Sequence, residues 1–213
     1  MWYRSARCII AVTVGGIIAS SFTSPALAKP SPRPTDKVAI DVVHANGSGC
    51  RPGTAVVGVS EDNTAFTVTY SDYIVEVGAD AKKKDLQKDC RLDLKVRVPK
   101  DFTYAIDQID YRGFAHLEPG ATGRERASYY FPGSSRPAPV DHTFKGPFSD
   151  DWLATDIPSL VFSPCGKQRH LNIDTELSVS AGGSGAKTAT SFISMDSTDG
   201  SVKTTYHLAW KKC

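Results

Sequence analysis

The amino-acid sequence predicts an all-β domain, a two-sheet antiparallel, jelly-roll-like sandwich with two disulfides. Apolar residues recur with a period of two, short apolar runs are separated by turn residues, and no window of helical length keeps a helical period.

The alternation is clearest in three segments. Leu92, Leu94, Val96 and Val98 alternate with Arg91, Asp93, Lys95 and Arg97. Leu171, Ile173, Leu177 and Val179 alternate with Asn172, Asp174, Glu176 and Ser178, and Val202, Tyr206, Leu208 and Trp210 with Lys203, Thr205, His207 and Lys211. Successive side chains of a strand point to opposite faces, so each segment is a strand with one dry and one wet side. Shorter apolar runs at residues 38–43, 55–59, 66–70, 102–117, 127–131 and 140–144 fill the intervals. Glu61-Asp62-Asn63, Pro119-Gly120, residues 181–185 and Asp199-Gly200 supply the turns, being rich in residue types that tight turns favour. Residues 78–88 are the one short helix candidate, and the stretch holding Phe144, Phe148 and Trp152 reads as loop-rich.

Arg4 and Arg7, an uncharged apolar stretch over residues 8–19 and the Ala26-Leu27-Ala28 pattern follow the order of an export signal. The stretch is shorter than the ~20 residues a membrane helix needs, so cleavage after Ala28 and secretion without a membrane anchor are expected. Residues 29–37, KPSPRPTDK, read as an extended proline-rich tether, and residues 38–213 as one domain. Removing the signal takes two basic residues and no acid, so the formal charge of +2 falls to zero. That balance excludes the strong positive field on which nucleic-acid binding depends. Lys82-Lys83-Lys84 with Lys88 is the one basic cluster and reads as a solvated face.

Cys8 leaves with the signal, and Cys50, Cys90, Cys165 and Cys213 remain. An even number in an exported chain, without C-x-x-C spacing, points to disulfides rather than zinc. Four cysteines permit three connectivities. Cys50 with Cys90 and Cys165 with Cys213 is the expected pairing, because each bridge then closes one half of the chain.

No motif for a nucleophile elbow, a metalloprotease helix or a phosphate loop is present, and no cofactor or metal is expected. His44, His116, His142, His170 and His207 are isolated in sequence. His170 and His207 fall on wet faces, whereas His142 lies between Val140 and Phe144 on an apolar face and reads as a hydrogen-bonded core histidine. Asp174 and Glu176 share one strand face, with Asp93 beside them if its strand is adjacent. They are the candidate acids for glycoside chemistry, which uses two carboxylates, although a charged outer face is the plainer reading. Asp196-Ser197-Thr198-Asp199-Gly200 opens like a calcium loop but lacks the closing Glu, where His207 stands, and reads as a hairpin turn. Tyr129, Tyr130 and Phe131 are consecutive, so at least one ring must leave the core face. With Tyr111 and Phe114 in a possible partner strand of the same hairpin, and Phe144, Phe148 and Trp152 in the stretch that follows, they make an aromatic group from which Tyr130 and Trp152 are taken as candidate sugar-stacking residues, although rings that fill the core are the plainer reading of each.

Asn46-Gly47-Ser48-Gly49-Cys50, the run from Asp62 to Val68 (DNTAFTV), Arg112-Gly113, Ser163-Pro164-Cys165-Gly166 and Met195-Asp196-Ser197 together resemble a family of small secreted bacterial and fungal proteins known only as a domain of unknown function. The resemblance implies an exported β domain with two disulfides and brings no catalytic residues. Two functions are therefore weighed. One is a non-catalytic extracellular module that binds polysaccharide, cell wall or a protein partner. The other is a carbohydrate-active hydrolase or lyase with acids dispersed over several strands. A cleft with two opposed carboxylates would favour the second.

Overall fold

A computed structural model describes residues 32–166, 168–182, 189–195 and 203–213. The expected signal, the first tether residues and the Asp196 to Gly200 turn lie outside them. Among the described residues twelve strands follow one another: β1 (Ala39–Asn46), β2 (Ala55–Val59), β3 (Ala65–Tyr70), β4 (Ile74–Val77), β5 (Gln87–Arg97) and β6 (Phe102–Leu117). The second half supplies β7 (Thr122–Tyr130), β8 (Val140–Lys145), β9 (Phe148–Asp156), β10 (Arg169–Ser180), β11 (Ser191–Ser194) and β12 (Thr204–Lys212).

They form the two antiparallel sheets that the alternation predicts. The first runs β1-β5-β10-β7-β8 and the second β2-β3-β12-β6-β11-β4, with β9 also paired to β6. The dry sides of the predicted strands meet in one core. Leu92, Leu94, Leu171, Ile173 and Leu177 come from the first sheet, and Phe66, Val68, Ile106, Ile109 and Tyr206 from the second. Each such side chain contributes about 1.5–3 kcal/mol by leaving water. The wet side of the first sheet carries ion pairs, including Arg91 with Asp174 and Arg124 with Glu176, each at 3.0 Å.

The short helix candidate at residues 78–88 holds a single 3₁₀ turn, Lys83–Asp85. Two expectations need correction. The stretch expected as loop-rich is strand β9, because Trp152, Ala154 and Asp156 turn inward while Leu153 and Thr155 turn out. Finally, β6 and β7 are consecutive but lie in different sheets, so Tyr111 and Phe114 are not hairpin partners of Tyr129 and Tyr130.

The end of the proline-rich segment is held to the domain. Asn63, buried and left-handed at φ 57°, donates its amide to the carbonyls of Pro34 and Asp36, and accepts from the Val38 amide. Its own carbonyl accepts from the Trp210 indole at 2.7 Å. One turn residue thus ties the entry of the chain to its last strand.

Cys50 pairs with Cys90 and Cys165 with Cys213, across separations of 40 and 48 residues. On the chain-entropy account each bridge contributes roughly 4 kcal/mol by restricting the unfolded chain. The secreted protein is expected to begin at Lys29 and to show a mass four hydrogens below that of the reduced chain. Intact-mass spectrometry measures both, and thiol labelling without prior reduction would count against the bridges.

Strand β8 edges the first sheet and β9 the second, and the chain crosses between them at Gly146-Pro147. A Cβ at Gly146 would stand 2.0 Å from the Glu118 carbonyl oxygen, so only glycine permits this crossing without backbone movement. The crossing brings β8 and β9 to the same side of the sandwich.

Candidate functional site

The inner face of β7 reads Gly123, Glu125, Ala127, Tyr129. A carboxylate therefore stands where the alternation demands an apolar residue. Glu125 is wholly buried, with Leu177 of β10 opposite on one side and His142 of β8 opposite on the other. Imidazole and carboxylate meet because antiparallel pairing places directly opposed side chains on the same face. His142 Nδ1 lies 2.8 Å from Glu125 Oε2, and Nε2 lies 3.1 Å from Asp156 Oδ1 on β9. The histidine thus clamps the edge of one sheet to the edge of the other. The Tyr111 ring, from β6, completes the cluster, its centre 5.4 Å from that of the His142 imidazole.

Burial pushes the Glu125 carboxyl up to about 7, against the opposing pull of its hydrogen bond to His142. The hydrogen bond to Glu125 in turn raises the His142 pKa, opposed by desolvation. Pair and proton are strongly coupled, so they titrate as a unit. Burial raises the phenols of Tyr70, Tyr111 and Tyr206, and the Glu125 charge adds to the shift in all three. Among the described residues, neither the other oxygen of Glu125 nor the hydroxyl of Tyr206 has a hydrogen-bond partner. A polar centre sits inside an otherwise apolar core.

Above this centre opens a cleft of about 420 Å³. Its floor includes Ile109, Tyr111 and Asp156, and its walls come from the end of β7 and the loops that follow β7 and β9. Tyr129 is half-buried and Phe131 buried, whereas Tyr130 turns to the outer side with the Arg136 guanidinium 5.1 Å from its ring centre. Ile157, 82% exposed, and Val161 extend the apolar surface at the rim.

The two aromatic candidates part company here. Tyr130 lines the cleft. Trp152 does not: it is 3% exposed, lies against the bare Cα of Gly113 and packs on Phe144 with ring centres 4.9 Å apart. Its expected exposure is corrected by the inward phase of β9. The candidate acids lie apart from the cleft, on the outer face of the first sheet. Asp174 is paired with Arg91 and Arg136, Glu176 with Arg124, and Asp93 with His170 at 2.7 Å. Asp174, Glu176, Arg91, Arg126 and Arg136 border a second depression there, in which acids and bases alternate. His207 and Thr155 both bind Asp110 on the outer face of the second sheet, at 2.8 and 2.7 Å. Among the described residues no three His, Cys, Asp or Glu side chains are grouped to hold a metal ion.

Glu125 and Asp156 escaped the sequence reading. A signal for Glu125 exists, since extending the period-two phase of Ala127 and Tyr129 backward places it on the core face. For Asp156 no such signal exists, because its partner comes from the other sheet.

Fold, bridges and relatives together define a secreted, disulfide-bridged β-sandwich protein. The chain belongs to the family described as a domain of unknown function, DUF4360, whose model matches residues 36–213. An uncharacterized secreted protein of the fungus Arthroderma benhamiae is 33% identical over 181 residues, which cover 84% of this chain and 73% of the relative. Among solved structures, the enzymatically active domain of bacteriophage CBA120 tailspike protein 4 aligns with 83% of this chain at 8% identity and a TM-score of 0.24, and the chain spans 19% of its length. Among the described residues no helix is long and apolar enough to cross a membrane.

Proposed function

We propose that this secreted protein is a non-catalytic extracellular binding module, and that the cleft beside Tyr130 receives its ligand, whether polysaccharide, cell wall or a protein partner. One observation carries the reading: both nitrogens of His142 are occupied by carboxylates, at 2.8 and 3.1 Å. No nitrogen is left to take a proton from a nucleophile or a water in the cleft, as general-base catalysis requires. Nor does the cleft hold two opposed acids, since Glu125 is sealed behind His142 and only Asp156 reaches the lining. That arrangement weighs against a hydrolase or lyase. Tyrosine rings and an apolar rim are instead the surfaces on which sugar rings or apolar side chains lose water.

Retention on insoluble chitin, cellulose or peptidoglycan tests the reading. Tyr130→Ala is expected to weaken retention by about tenfold, in the range of an interface aromatic, with the melting temperature within a few degrees of the parent. A protein retained on none of the three would shift the proposal to a protein partner. Retention that Tyr130→Ala leaves intact would move the site away from the cleft.

A further inference from the structure

We propose that the cleft takes a ligand bearing an ammonium group on an apolar body, with Asp156 as its anionic contact and Tyr129 and Tyr130 as its aromatic walls. The inference rests on the binding role above and adds the charge of the ligand.

Among the described residues that line the cleft, Asp156 alone carries a formal charge at neutral pH. The remainder are aliphatic, aromatic, proline or serine residues. Its charge is only partly compensated. Asp156 shares one imidazole with Glu125, so the cluster keeps one negative charge where both acids are ionised and His142 is protonated. It keeps none where Glu125, raised to about 7, holds its proton, and the charge preference is therefore read above that value. The Tyr129 phenol reports the same field, being pushed up to about 12 by burial first, then by the charges of Asp156 and Asp107. Asp107 has a buried oxygen that accepts no hydrogen bond among the described residues. Arg136 does not line the cleft, but its guanidinium, paired with Asp174 on the outer face, lies 5.1 Å from the Tyr130 ring centre, so Tyr130 supplies apolar wall and Tyr129 the aromatic face for the ligand's cation.

An aromatic face and an undercompensated carboxylate act in the same sense. The ring quadrupole attracts a cation at its face, and a carboxylate with apolar neighbours attracts it more strongly than one in water. An anionic ligand meets repulsion from both. Neutral ligands gain only the apolar contact.

Calorimetric titration of the full secreted protein with phenethylammonium, phenethyl alcohol and phenylacetate separates these cases, because the three share an aryl body and differ in charge. The ammonium is expected to bind about tenfold tighter than the alcohol, and phenylacetate weakest. Asp156→Asn should erase the preference while the alcohol still binds. That variant also takes a partner from His142, so its melting curve is recorded; the ranking on the unmodified protein stands without it. Equal affinity for ammonium and alcohol would overturn the ammonium inference and leave the binding role in place. So would no titration at all with retention on polysaccharide intact. Failure of all three titrations together with retention would overturn the ammonium inference and shift the binding role to a protein partner.

Discussion

Trp152→Ala is expected to lower stability by about 3–5 kcal/mol, the range for truncating a large buried aromatic. The indole lies over Gly113 and against Phe144, inside the seam that joins β8 and β9. Gly113 is part of the same fit, because a Cβ there would stand 2.0 Å from the Ser194 carbonyl oxygen and 2.3 Å from the indole. Gly113→Ala should therefore reproduce much of the loss without removing an aromatic. Trp152→Phe should cost less than either, since it keeps the ring contact and deletes an indole N–H that is buried without a partner among the described residues. Urea unfolding of the three variants measures the order. A Trp152→Ala protein as stable as the parent would contradict the packing described here.

His142→Ala is expected to be the second severe change, with a cost that depends on pH. Removing the imidazole leaves Glu125 buried with no cation, and breaking a buried pair from one side costs about 3–5 kcal/mol when the remaining group is charged. Where Glu125 is protonated the cost should shrink, because a neutral carboxyl tolerates burial better. In the parent, Glu125 has a folded value of about 7 against an ordinary 4.5, and His142 is also raised. Both groups hold their protons more firmly in the folded state. Their stabilisation is complete below the unfolded values and is lost as pH rises through the folded ones. The parent should accordingly be less stable at about pH 8 than at about pH 5, by about 1–3 kcal/mol. At more acid pH the sign reverses, since Asp62 and Asp110 have lowered values and lose their contribution as pH falls through them. Glu125→Gln should flatten the profile between about pH 5 and about pH 8. Unfolding curves across that interval test it, and an unchanged slope in Glu125→Gln would remove Glu125 as the source.

Much of the fold was legible because strand alternation is a local signal. Leu92, Leu94 and Val96, or Leu171 and Ile173, declare an inner face without reference to any other strand. The cysteine count and the absence of zinc spacing pointed to disulfides on equally local grounds. What alternation could not convey was which sheet each strand joins. Residues 148–156 carry three acids and a threonine on an edge strand, so their period is weak, and Trp152 looked like a loop aromatic when it is a core residue. The site itself was only half visible. His142 on an apolar face called for a hydrogen-bonding partner, but its partners are Glu125, adjacent by strand register, and Asp156, adjacent because Gly146 lets the chain cross between sheets. The sequence by itself thus determined the strands, their dry faces and the class of protein, since these depend on residues close in the chain. Tertiary structure alone decided the Glu125–His142–Asp156 cluster and the cleft above it, because both arise where edge strands of different sheets meet, and that contact leaves no period in the sequence.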